Sequence, residues 1–269
     1  MPHPAKVGLF RVLSCVPYYI YLCAMIKLDT IYNEDCLLGM QRIPDGSVNA
    51  IITDPPYGTT DNKWDIAPNI EEMFRQFWRV LKHNGALLIF GQEPFASLVR
   101  LSSGHFRYDW IWEKSCPVGF LNAKKMPLRK HEVITVHYRR LPTYNPQFTE
   151  GKPYIMEHKS FTPTYSSQGR TATISDGRRY PVDVLRFKGA NGAVPKDGKP
   201  NTIHPTQKPQ NLIEYLVKTY TDEGQIVLDP YMGSGTTAAA CITTGRHYIG
   251  FELDEDYYKK SLHRIEGLG

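Results

Sequence analysis

Cysteine is scarce and poorly spaced for a structural role. The five residues Cys15, Cys23, Cys36, Cys116 and Cys241 form no C-x-x-C pair, and none lies at zinc spacing from a histidine. This argues against a disulfide framework or structural zinc, assigns no metal, and fits a reducing, cytoplasmic setting. Long apolar runs are also missing. No stretch reaches the roughly 18 residues that a membrane-spanning helix needs, so no membrane partner is expected. There are no internal repeats and no low-complexity tracts. With 41% hydrophobic and 22% charged residues, the chain is neither disordered throughout, nor collagen, nor coiled coil. Its 269 residues suffice for one sizeable core with an inserted lobe.

The N-terminus stands apart. Lys6 and Arg11 precede a short apolar run over 12–24 that Pro17 interrupts, a superficial likeness to a signal peptide. Met25-Ile26-Lys27-Leu28 then reads like a protein start. Residues 1–24 are therefore expected to be a translated upstream extension outside the core.

Charge is unevenly placed. Residues 114–200 carry 16 Lys and Arg against 6 Asp and Glu, whereas the segments on either side are slightly acidic. A basic middle between acidic ends points to a surface that meets a polyanion.

Apolar periodicity gives an α/β chain. Residues 47–53 read as a buried strand that stops at Asp54-Pro55-Pro56-Tyr57, because two prolines cannot continue an internal ladder. Residues 70–82 place Met73, Phe74, Phe77, Val80 and Leu81 at helical spacing, and Asn84-Gly85 is expected to end that helix. Residues 86–90 read as the next buried strand, and a strand–helix–strand unit implies a parallel pair. Residues 133–138 form a further strand. The stretch 141–201, dense in Gly, Pro, Ser, Thr and Arg, reads as an inserted lobe of loops. Regular structure resumes with a proline-opened helix over 209–220, a strand over 225–228, a glycine turn with a small-residue helix over 233–244, and a strand over 247–251.

Two motifs carry chemistry. In Asp229-Pro230-Tyr231-Met232-Gly233-Ser234-Gly235-Thr236-Thr237 a strand enters a glycine turn and then a helix. The glycines let a ligand approach the backbone, and the helix start offers free N–H groups. Glu252 ends the following strand, where a carboxylate can accept both hydroxyl hydrogens of a ribose. The turn also satisfies G-x-G-x-x-A, but no G-K-[ST] follows, so it is not a P-loop. The second motif is Asp54-Pro55-Pro56-Tyr57. An aromatic amine is a poor nucleophile because its lone pair is delocalised into the ring. Methylating it calls for acceptors that take both N–H hydrogens. The Asp54 carboxylate and a Pro55 carbonyl held by a rigid turn suit that task. Tyr57 offers a face for stacking, and an acidic, aromatic pocket suits a base flipped from a duplex.

The two motifs in this order resemble the β-group amino-methyltransferases of DNA, the S-adenosylmethionine-dependent N6-adenine and N4-cytosine enzymes. The resemblance runs from about Lys27 to His263. It also takes in Asn33-Glu34-Asp35-Cys36 and His204-Pro205-Thr206-Gln207-Lys208-Pro209. It implies a Rossmann-like, mostly parallel seven-stranded sheet with one antiparallel strand and helices on both faces. Residues 25–140 would be the catalytic half, 141–200 a target-recognition region and 201–269 the cofactor-binding half.

The same resemblance implies roles. Asp54, Pro55, Pro56 and Tyr57 would hold the target base, with Asp54 also bordering the cofactor. Asp229, Tyr231 and Gly233, Ser234, Gly235, Thr236 and Thr237 would surround the methionine part of S-adenosylmethionine. Glu252 would bind its ribose, and Asp35 with Cys36 its adenine. His204, Thr206 and Lys208 would face the methionine carboxylate. Double-stranded DNA would be the partner, with Lys124, Lys125, Arg129 and Lys130 on phosphates and Arg178, Arg179, Arg186 and Lys188 near base edges. Tyr144, Phe161 and Tyr165 are candidates to wedge or stack. A homodimer and a cognate restriction endonuclease are further partners that the resemblance allows. Asp at position 54 goes with adenine more often than cytosine in such enzymes. A nicotinamide dehydrogenase built on the glycine turn would leave Asp54 to Tyr57 unexplained, and a DNA-binding protein without catalysis would not need that motif.

Overall fold

The computed structural model describes residues 26–58, 66–157, 172–188 and 207–268. The expected extension over 1–24, together with His204, Thr206, Phe161 and Tyr165, lies outside the described residues.

In chain order the strands are β1 (Thr30–Tyr32), β2 (Val48–Thr53), β3 (Leu81–Gly91), β4 (Phe106–Val118), β5 (Arg129–His137), β6 (Thr149–Glu150), β7 (Tyr154–Glu157), β8 (Ala172–Ser175), β9 (Arg178–Arg179), β10 (Val184–Arg186), β11 (Ile226–Asp229) and β12 (His247–Phe251). The helices are α1 (Cys36–Met40), α2 (Ile70–Val80), α3 (Phe95–Ser102), α4 (Gln210–Tyr220), α5 (Thr236–Thr244) and α6 (Glu255–Glu266). The main sheet has the order β1-β12-β11-β2-β3-β5-β4-β10. Only β5 runs against its neighbours, as the resemblance implies. Among the described residues this sheet has eight strands, not the seven expected. The extra one is β10, three residues from the basic middle that pair parallel with β4 at the edge. Two small ribbons, β6 with β9 and β7 with β8, come from the same region.

Alternation along the strands sends neighbouring side chains to opposite faces. Ile51, Leu87 and Ile89 pack with Met73, Phe74 and Phe77 of α2 and Phe95 of α3. Ile52, Leu88 and Phe90 pack with Leu212, Ile213, Leu216 and Tyr220 of α4 and with Ala238 and Ala240 of α5. The fully buried alanines of α5 let it lie close to the sheet. Fully burying a Leu, Ile or Phe stabilises by about 1.5–3 kcal/mol, so these two layers fix the strand order.

The helix expected over 70–82 ends sooner, at Val80, and β3 begins at once with Leu81. Gly85, expected to act as a stop signal, lies inside β3. A Cβ there would come within 2.7 Å of the Leu81 side chain and 2.9 Å of the Asn49 carbonyl. The glycine serves a close strand approach, not a helix end.

Candidate active site

Strand β2 pairs parallel with β11 on one side and β3 on the other. The chain builds outward from β2 in one direction and from β11 in the other, so the order reverses between them. Ligands in open α/β sheets gather at such a switch point, beyond the carboxyl ends of the strands. Asp54 follows the last residue of β2, and Asp229 is the last residue of β11. The two sequence motifs therefore lie side by side at one edge.

Asp229 is 5% exposed. Its Oδ1 accepts from Thr53 Oγ1 at 2.8 Å and from the Tyr231 amide at 3.1 Å, and its Oδ2 accepts from Thr237 Oγ1 at 2.6 Å. Burial pushes this carboxyl up to about 6 against the hydrogen bonds from Thr237 and Thr53. Among the described residues no cation pairs with it. After it the chain turns on Gly233 (φ 54°) and Gly235 (φ 75°), both left-handed, and Gly235 caps α5. Glu252 reaches back to this turn: its Oε2 accepts from the Gly233 amide at 2.7 Å and its Oε1 from the Asp254 amide at 2.8 Å. Burial pushes this carboxyl above the ordinary carboxylate range, against the hydrogen bonds from the Asp254 and Gly233 amides. Tyr231 is hydrogen-bonded to the thiol of Cys36, which burial pushes up to about 12. Asp35 caps α1, its Oδ1 accepting from the amides of Leu37 at 2.9 Å and Leu38 at 3.1 Å.

Arg264, from α6, went unnoticed in the sequence. Its Nη1 donates to the Ser234 carbonyl at 3.1 Å and to Thr236 Oγ1 at 2.9 Å, and its Nη2 donates to Gln210 Oε1 at 3.2 Å. It clamps the glycine turn to α4.

At the other motif, Asp54 Oδ1 accepts from Tyr57 Oη at 2.5 Å. The Tyr57 ring stacks on Phe95, centroids 5.0 Å apart. Pro55 is buried and Pro56 half-buried. Asp54 Oδ2 accepts from Lys208 Nζ, a contact the sequence did not disclose. Lys208 is buried and also lies 3.4 Å from Glu132 Oε2. Glu132 is 7% exposed, and its Oε1 accepts from Lys114 Nζ and, at 3.0 Å, from Gln92 Nε2. Burial opposes ionisation of Glu132, but the charges of Lys208 and Lys114 hold it down at about 2. Asp54 moves the other way: burial and the charge of Glu132 raise it against the pull of Lys208. Glu132 had a sequence signal, a lone carboxylate leading the apolar run Val133-Ile134.

The basic residues divide into two groups. Lys124, Lys125 and Arg129 are exposed in or beside the loop joining β4 to β5, which opens at the same edge as Asp54. That loop also exposes Phe120 and Leu121. Lys130 and Arg186 both pair with Glu113, at 2.8 Å and 2.7 Å. Arg178 pairs with Asp176 at 2.9 Å. Arg179 donates to the Lys152 carbonyl at 2.5 Å and to Ser175 Oγ at 2.6 Å, which ties the two ribbons together. Lys188 lines a cavity of about 460 Å³ with Gln207, Gln210 and Arg264. Tyr144 packs edge-on against Tyr220, on the sheet's far edge near the start of β4. Among the described residues no helix is long and apolar enough to cross a membrane, and no cluster of three metal-ligating side chains occurs.

Comparison with known proteins agrees with this geometry. A family model described as DNA methylase matches residues 48–263. The chain is 30% identical over 271 residues to the type II methyltransferase M.BglII of Bacillus subtilis, covering 89% of this chain and 69% of that protein. It is 29% identical to the DNA adenine methyltransferase YhdJ of Escherichia coli strain K12, covering 88% and 82%. Among solved structures it resembles the M1.HpyAVI–SAM complex (TM-score 0.59, 24% identity, 88% and 98% covered) and the cytosine-N4-specific PvuII DNA methyltransferase (TM-score 0.61, 17% identity, 88% and 86% covered). The extent of the family match, spanning both motifs on this sheet, establishes that the chain belongs to the N6/N4 family of DNA methylases.

Proposed function

We propose that the protein transfers a methyl group from S-adenosylmethionine to the exocyclic N6 amine of adenine, in a base turned out of double-stranded DNA. The observation that carries this reading is the placement of Asp54 and the Asp229 glycine turn at the ends of two paired strands.

The residues around the turn fit the cofactor. Asp229 is a buried carboxylate with no cation beside it among the described residues, which suits a ligand bearing positive charge. A Cβ built on Gly233 meets nothing closer than the Tyr231 carbonyl at 4.0 Å, so this backbone lies open to a close neighbour. Glu252 ends β12 next to the turn and retains acceptor capacity for hydroxyls. S-adenosylmethionine supplies a methyl group activated on a positively charged sulfur. Asp35, Cys36, Tyr231 and the segment Ser234 to Thr237 complete the wall of its site.

On the other side, the Asp54 carboxylate and the Pro55 carbonyl accept the two amine hydrogens and favour a tetrahedral nitrogen. Tyr57, held by Phe95, contributes a ring for the base. Lys124, Lys125, Arg129 and Lys130 contact phosphates, while residues 141–200 form the target-recognition region with Arg178, Arg179, Arg186 and Lys188. The kinship with a DNA adenine methyltransferase supports adenine, and kinship with a type II enzyme supports a restriction endonuclease as functional partner.

The test is product analysis. Unmethylated genomic DNA is incubated with the protein and S-adenosylmethionine, digested and examined by nucleoside mass spectrometry. N6-methyladenine is the expected product. N4-methylcytosine would overturn the choice of base, and neither product would overturn the reading itself.

A further inference from the structure

Both oxygens of Asp54 are engaged: Tyr57 Oη sits on Oδ1 at 2.5 Å and Lys208 Nζ on Oδ2. An amine that takes Oδ2 as its acceptor competes there with the Lys208 ammonium. Lys208 is buried, and a buried ammonium that loses a carboxylate partner carries a desolvation penalty. An alternative seat lies next to it. Glu132 Oε2 is buried, makes no aligned hydrogen bond, and faces Lys208 Nζ at 3.4 Å. The other oxygen of the same carboxylate is fixed by Lys114 and by Gln92 at 3.0 Å, so the seat is held in place. The Phe90 ring lies 5.1 Å from the Lys208 nitrogen and can support the ammonium at either position.

We propose that Glu132 is a positioning residue: it takes over the Lys208 ammonium when the target amine occupies Asp54 Oδ2. The proposal rests on the methyl-transfer reading and deepens it. The shift breaks no covalent bond and moves no proton. The number of buried charges stays constant, with Lys208 and Lys114 balancing Asp54 and Glu132. A buried acceptor without an aligned hydrogen bond calls for an explanation, and closer engagement of Lys208 during turnover supplies one.

The test is Glu132→Gln, with wild type and Glu132→Asp alongside. Single-turnover methylation is followed from pH 5 to 9, and cofactor affinity and thermal unfolding are measured separately. Without the charge at position 132, Lys208 stays on Asp54. The rate constant is expected to fall about tenfold or more, with cofactor affinity unchanged. The groups facing Asp54 are Lys208, Glu132, Tyr57 and, from β11, Asp229. Losing the Glu132 charge makes Asp54 easier to ionise, so the acidic limb of the pH profile moves to lower pH. Glu132→Asp keeps the charge but withdraws it by one methylene, so its rate falls while the limb stays in place. An unchanged rate in Glu132→Gln, or a lower rate with an unmoved limb, overturns the proposal. If Glu132→Gln does not fold, Glu132→Asp decides, and an unchanged rate there overturns it. A wild-type protein that methylates no DNA fails the parent reading instead, and is distinguished by that control.

Discussion

Asp229 shows how burial sets the ionisation of a single group. Its folded value of about 6 lies above the ordinary 3.8, because burial outweighs its three hydrogen bonds. A raised carboxyl binds more protons in the folded state than in the unfolded one. Its ionisation therefore lowers stability as pH rises from about 4 to about 6, and the cost stays constant above that. Replacing it by Asn removes this pH dependence. Relative to wild type, Asp229→Asn should gain about 2–3 kcal/mol between pH 4 and 7, measured by denaturant unfolding at both pH values. A cationic ligand reverses the relation. Cofactor affinity of the wild type should weaken about tenfold per pH unit below about 6, whereas Asp229→Asn should bind weakly without that slope. Calorimetric titration across pH 5–8 checks both. A wild-type affinity independent of pH would show that Asp229 does not meet the charge.

Elements place these residues, and here the sequence was unevenly informative. The strands leading to Asp54, Asp229 and Glu252 were legible because each is a short apolar run ending at a polar motif. Helices α2, α4 and α5 were legible from spacing and small residues. Strand β4 was not read: Trp110 and Trp112 point inward, but charged neighbours such as Glu113 and Lys114 interrupt the pattern. The resemblance puts Lys208 at the cofactor carboxylate, and the structure adds its pairing with Asp54 and Glu132. That pairing joins residues 154 positions apart, and no local pattern carries such information. Arg264 was missed for a similar reason, since an arginine late in an exposed amphipathic helix reads as solvated. Its clamp makes α6 part of the glycine turn. Arg264→Ala should lower cofactor affinity about tenfold, through loss of hydrogen bonds worth about 1–1.5 kcal/mol. Amide exchange should quicken over residues 233–237 without a large fall in overall stability. Unchanged exchange there would contradict the role of the clamp.

Across the whole molecule, the loop from β4 to β5 opens at the same edge of the sheet as Asp54. Lys124, Lys125 and Arg129 are exposed with Phe120 and Leu121 at that loop. Each phosphate contact contributes about 0.9 to the slope of log affinity against log salt. Changing Lys124, Lys125, Arg129 and Lys130 together to Gln should reduce that slope by about 3–4 and weaken binding to all duplex sequences alike. Titration from 50 to 300 mM salt measures it, and an unaltered slope would place the DNA elsewhere. The central claim is that the switch point of this sheet joins a cofactor site to a separate base-holding carboxylate. The most direct test is Asp54→Ala, measured for methyl transfer to DNA and for S-adenosylmethionine binding in the same preparation. Transfer should fall roughly 10²–10⁴-fold while cofactor affinity stays within about threefold of wild type. Methylation at the wild-type rate would contradict the account.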